Sequence, residues 1–185
     1  MSTEIAKLTR RTVMTALAGM SAAGRASAKN SSTLVAYFSR SGNTRVVAGL
    51  IQRALGADLV EIQPAARYPD EYLATVAKAK EERDRGFEPA LTAKVTNIAQ
   101  YDTVYLGFPI WGETAPPIIR SFLKSHDLSG KTLIPFITHG GYGLGSSGAV
   151  LESHAPRARL QPGFSMQADQ ERQTMNAVND WLKGA

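Results

Sequence analysis

Five apolar residues in a row, Leu34, Val35, Ala36, Tyr37 and Phe38, run directly into Ser39, Arg40, Ser41, Gly42, Asn43 and Thr44. An unbroken apolar run of this length reads as a strand covered on both faces, so the chain must supply a layer above it and a layer below. Val46, Val47, Leu50, Ile51, Ala54 and Leu55 then recur on one helical face and stop at Gly56, a residue suited to ending a helix. The order is strand, short polar loop, helix. Such a loop receives the amides and the positive dipole end of the helix that follows, which favours an anion. Hydroxyls on Ser39, Ser41 and Thr44 and the Asn43 amide add donors, and Gly42 lets the backbone close around a phosphate. Arg40 is the single cation and no Walker lysine is present, so the donor set is mainly neutral. The same six residues also suit a tight turn with Thr44 as a helix N-cap.

The rest of the chain repeats the strand-and-helix alternation. Asp58, Leu59, Val60, Glu61 and Ile62 alternate as a second strand, stopped by Pro64. A helix opens around residues 68–72, with Asp70 as N-cap or first-turn acid and Tyr72, Val76 and Ala79 inward. Its charged end, residues 78–85, reads as a solvated face. Residues 101–107 form a third strand that leads into Pro109, Ile110, Trp111 and Gly112. Thr114 is a cap for the next helix, whose first turn tolerates Pro116 and Pro117. Residues 132–138 form a fourth strand, although Pro135 costs it a ladder hydrogen bond. Thr138, His139, Gly140, Gly141, Tyr142 and Gly143 open a glycine-rich loop, and a helix then runs to about His154. A weak fifth strand near residues 159–166 and a helix over residues 171–183, burying Met175, Val178, Trp181 and Leu182, complete the chain.

This alternation predicts an open parallel α/β sheet with strand order 2-1-3-4-5. The ligand crevice of such a sheet lies where strands one and three diverge at their C-terminal ends. The loops after strands one, three and four therefore converge on one place. There, the Trp111 indole is available to stack on a planar ring, an arrangement worth about 0.5–1.5 kcal/mol beyond area burial. Pro109 stiffens that turn and Gly112 frees backbone groups to face the ring. The glycines of the third loop allow close approach of backbone amides, with Tyr142 as a second stacking aromatic. Trp111 and Tyr142 suit packing roles as well, and His139 suits a plain hydrogen-bonding role. His126 and His154 fall at helix ends, where imidazoles favour the dipole, and the three histidines are too scattered for a metal site.

Ser39-Arg40-Ser41-Gly42-Asn43-Thr44 after a first strand resembles the phosphate loop of flavodoxins, Thr/Ser-x-Thr/Ser-Gly-Asn-Thr. Gly107-Phe108-Pro109-Ile110-Trp111, Pro116-Pro117, Phe122-Leu123, Leu128-Ser129-Gly130-Lys131 and Phe136-Ile137-Thr138-His139-Gly140-Gly141 extend the resemblance across residues 32–181. It implies a flavodoxin-like three-layer sandwich of the short-chain form, with a five-stranded parallel sheet. It implies FMN as cofactor, with Ser39, Arg40, Ser41, Gly42, Asn43 and Thr44 at the phosphate. Pro109, Ile110, Trp111 and Gly112, and residues 138–143, would meet the ring. The implied function is an electron carrier exchanging with redox proteins, and no side chain is assigned a catalytic role. The alternative is an FMN-dependent NAD(P)H or quinone oxidoreductase, with a small quinone or nicotinamide substrate. Two features depart from the family pattern. Electron-carrier flavodoxins are typically acidic around the flavin, and His139 stands where a cation would raise the flavin's reduction potential.

Composition narrows the remaining choices. The 185 residues, 43% hydrophobic, are enough for one core-bearing domain over residues 29–185. The absence of cysteine removes disulfides, thiolate catalysis and Cys-ligated metal centres. No run of about 20 apolar residues predicts a membrane span. Arg10 and Arg11 precede a mildly apolar stretch, and Ala26-Ser27-Ala28 is a small-x-small cleavage pattern. Residues 1–28 thus read as a twin-arginine-type signal peptide and predict a periplasmic protein. That segment carries Lys7, Arg10, Arg11 and Arg25 against Glu4, three of the chain's +5 net charges. A remaining +2 gives no case for a nucleic-acid partner.

Overall fold

The computed structural model describes residues 32–141, 143–168 and 178–184. The signal segment and Met175 lie outside the described residues. The elements follow as β1 (Thr33–Tyr37), α1 (Asn43–Leu55), β2 (Asp58–Glu61), α2 (Tyr72–Asp84), β3 (Thr103–Pro109), α3 (Pro117–Ser125), β4 (Thr132–His139), α4 (Ser147–His154), β5 (Arg159–Leu160) and β6 (Phe164–Gln167). Residues 178–183 are helical. No helix among the described residues is long and apolar enough to cross a membrane.

β1 pairs in parallel with β2 on one side and β3 on the other, and β3 pairs in parallel with β4. The order β2-β1-β3-β4-β5 is the expected one. Alternate residues of β1 enter opposite layers, as the pleat requires. Leu34 and Ala36 pack with Val104, Leu106, Ile118 and Phe122. Val35 and Tyr37 pack with Val47, Ile51, Phe136 and Val178. Each buried Leu, Ile, Val or Phe of this kind contributes roughly 1.5–3 kcal/mol.

The fifth strand is split in two. β5 pairs with Thr132 and Leu133 of β4, whereas β6 pairs with residues from Phe136 to His139. Pro135 lies opposite the gap, and a Cβ on Gly163 would stand 2.2 Å from the Pro135 carbonyl oxygen. The proline nitrogen thus falls where the neighbouring strand is interrupted, which is how β4 accommodates a residue without an N–H.

Helix starts also shifted. Glu71, not Asp70, caps α2, its carboxylate accepting from the amides of Leu73 (2.9 Å) and Ala74 (2.5 Å). α3 begins at Pro117, after Pro116 in the cap position, leaving Thr114 outside the helix. Two successive prolines lack the amides that a threonine cap would need.

His126, at the end of α3, is buried between two backbone groups. Its Nδ1–H donates to the Phe122 carbonyl (2.8 Å) and its Nε2 accepts from the Val95 amide (2.9 Å). This pairing holds the ring neutral, so it does not serve the helix dipole as a cation. Burial lowers its pKa from the usual value, the Phe122 bond acts in the opposite direction, and the Lys94 charge lowers it slightly further. The unfolded chain takes up a proton near about pH 6.5 that the folded chain resists. Stability from this group is therefore full above that pH and declines as pH falls towards the lower folded-state value. Denaturation midpoints should drop between about pH 7 and 5, and His126→Gln should flatten that slope. An unchanged slope in the variant would remove His126 from the account.

Candidate functional site

The C-terminal ends of β1, β3 and β4 carry the three loops. Gly42 holds φ +98°, and no atom lies within 4 Å of the place its Cβ would occupy. Its amide donates to the Ser39 hydroxyl (3.1 Å), which closes the loop on itself. The α1 N-cap is thus a glycine, and no acid stands in the first turn. Neither a capping side chain at that position nor a carboxylate competes for the positive end of the helix. Thr44 is buried rather than presented to the loop surface. Its hydroxyl meets that of Thr138 at 2.8 Å, joining the start of α1 to the end of β4.

The loop after β3 is a short hairpin. Trp111 donates its amide to the Thr114 carbonyl (2.9 Å) and accepts from the Thr114 amide (3.4 Å). Both central residues have positive φ, 56° at Gly112 and 63° at Glu113, the signature of a type I′ turn. A left-handed glutamate is strained, and neighbours hold it from both sides. Arg83 of α2 donates to the Gly112 carbonyl (3.0 Å), and the Ser146 amide donates to the Glu113 carbonyl (2.9 Å). The expected cap, Thr114, instead has a buried hydroxyl with no partner among the described residues.

Edge-on contacts fix the Trp111 indole, with ring centroids 5.2 Å from Phe38 and 4.8 Å from Tyr68. Tyr68 in turn donates its hydroxyl to Glu82 (2.7 Å), and burial followed by this bond raises the phenol pKa. Glu82 is only 6% exposed, so the charged end of α2 is not wholly the solvated face expected of it. Trp111 is therefore both a packing residue and a wall of the site.

In the loop after β4, the Gly141 amide donates to Nδ1 of His139 (3.1 Å). On that geometry the neutral ring carries its proton on Nε2. Tyr142 lies outside the described residues. Gly143 has positive φ, but neither it nor Gly141 lines the cavity that the loops enclose.

That cavity holds about 340 Å³, within the usual range for small-molecule sites. Arg40, Ser41 and Asn43 reach it from the first loop, residues 109–112 from the second, and Thr138, His139 and Gly140 from the third. Ser39 lines a neighbouring groove instead. A fourth wall escaped the sequence reading: α2 lines the cavity from Tyr72 to Arg83. Of the stripe expected to face inward, only Ala79 is buried; Tyr72 and Val76 are exposed and line the cavity instead of the core. Three cations, Arg40, Lys80 and Arg83, and no carboxylate line the space among the described residues.

Comparisons agree with this architecture. A family model described as flavodoxin matches residues 32–185. A candidate flavoprotein from Bacteroides eggerthii is 35% identical, with a TM-score of 0.71, over 82% of this chain and 96% of that one. Another from Bacteroides uniformis is 35% identical, with a TM-score of 0.73, over 82% and 97%. A Lactobacillus acidophilus flavoprotein solved in complex with FMN shares the fold at 19% identity, with a TM-score of 0.64, over 79% and 99%. No curated protein matches. The chain belongs to the flavodoxin family.

The Thr44–Thr138 bond makes a direct test of how the loops are joined. Thr44→Val leaves the Thr138 hydroxyl buried and unpaired, at an expected cost of about 1–3 kcal/mol in urea denaturation. Combining it with Thr138→Val should cost less than the two single changes added together. Strict additivity would mean that the two hydroxyls do not interact.

Proposed function

We propose that the protein binds FMN and passes electrons through it as a flavodoxin-type carrier. The observation that carries this reading is the convergence of three loops on one cavity at the ends of β1, β3 and β4, with no carboxylate among the described lining residues. The residues present fit the group. An anionic phosphate suits the glycine-capped start of α1 with Ser41 and Asn43, and the space beside Gly42 leaves room for close approach. A flat ring suits the half-buried Trp111, and residues 138–140 offer backbone groups to its edge. The FMN in the Lactobacillus acidophilus relative is consistent with this choice.

Bound FMN supplies one- and two-electron chemistry, and the chain's part is to hold, orient and shield it. Trp111, held edge-on by Phe38 and Tyr68, offers a rigid apolar wall. Nδ1 of His139 is occupied by the Gly141 amide, which fixes the orientation of the imidazole at the cavity edge. Residues 1–28 act in this reading as a twin-arginine-type leader, and the N-terminal residue of the secreted protein tests that part.

The cationic cavity wall favours a second reading, an FMN-dependent NAD(P)H or quinone oxidoreductase. Anaerobic reduction separates the two. With NADH or NADPH alone, a carrier should keep its yellow band for many minutes, then lose it in two resolved steps on adding dithionite. Bleaching by either nucleotide within seconds, without a helper protein, would replace the carrier with the reductase.

A further inference from the structure

The α2 wall is unlike the other three. Along one face, Tyr72, Val76 and Lys80 follow at four-residue spacing, with Arg83 one turn further on, and all four line the cavity. Tyr72 is 65% exposed and Val76 46%, so this apolar surface faces open space instead of the core. Cations close both ends. The Arg40 guanidinium lies 5.8 Å from the centre of the Tyr72 ring, anchored by donation to the Asp70 carbonyl (2.7 Å). At the far end, Lys80 and Arg83 both reach Asp84, at 2.7 and 3.0 Å.

The two far-end cations are not equivalent. Arg83 also holds the Gly112 carbonyl and is committed to the hairpin. Among the described residues, Lys80 has only an exposed partner four residues away, a kind of pair that contributes little and is easily exchanged. Tyr72 and Lys80 are separated by about 12 Å along the helix axis. That length matches a fused two-ring body with a charged group at one end.

We propose that this wall is a second binding site, for a planar organic anion lying beside the flavin. The ring body covers Tyr72 and Val76, and the negative group is received by Lys80. No carboxylate stands among the described lining residues, and Asp84, just outside them, is the acid that an incoming anion displaces from Lys80. The setting, though not the chemistry of the wall, rests on the FMN reading above.

The test uses the full chain reconstituted with FMN and freed of excess. Calorimetric titrations at low salt compare lawsone, a hydroxynaphthoquinone that is anionic at neutral pH, with menadione, its uncharged methyl analogue. Lawsone should bind at least about tenfold more tightly, and added salt should erode the difference. Lys80→Gln, a change at an exposed side chain, should abolish most of the preference and leave menadione binding unchanged. Val76→Asp, checked for folding by circular dichroism, should weaken both. Equal affinities, a preference that survives Lys80→Gln, or release of FMN by lawsone would each overturn the proposal. If the protein stays colourless after reconstitution, the FMN reading fails, and the same titrations on the apoprotein judge the wall by the same criteria.

Discussion

The placement of β1 between β2 and β3 governs the molecule. A strand with both edges paired and both faces buried cannot turn back beside itself, so the chain leaves it through a helix and returns elsewhere. Here β2 takes one edge and β3 the other. The loops leaving β1 and β3 are thereby driven apart at their C-terminal ends, and a crevice opens between them. The residues best suited to an anion and a flat ring stand on those loops. Fold and site have one cause.

A crevice made of loops is useful only if the loops hold their shape, and several cross-links see to that. The Thr44 and Thr138 hydroxyls tie the first loop to the third beneath the surface. The Ile110 amide donates to the Thr138 carbonyl (2.9 Å), tying the second to the third. Arg83 and Ser146 hold the hairpin carbonyls from opposite sides. Behind the indole, Phe38, Tyr68 and Glu82 form a continuous support. Sites organised in this way lose less order on binding, which is where affinity is otherwise dissipated.

Much of this was legible in the sequence because it is periodic or local. The apolar run 34–38, the small polar residues after it and the alternation of strands and helices carried the topology and the three converging loops. What stayed hidden depends on contacts between distant residues. Nothing near Glu82 announces that it will be buried against Tyr68. Likewise, Lys80 and Arg83 look like any charged helix end until α2 is placed beside the loop after β3. Thr114 has the right chemistry for a cap but precedes two prolines, and the helix starts after them. Pro135 was visibly awkward, yet only the pairing of β4 with two short strands explains why it is tolerated. The split of the fifth strand at residues 161–163 is the counterpart of that proline, 28 positions away from Gly163 in sequence.

The central claim is that the loop between β1 and α1 receives a phosphate through mainly neutral donors. Titrating the apoprotein with FMN and with riboflavin, which differ only in that phosphate, tests it most directly. The account predicts tight FMN binding and riboflavin binding weaker by a factor of about 100 or more, equivalent to some 2.7 kcal/mol. Equal affinity for the two flavins would contradict it, because the loop would then contribute nothing to recognition.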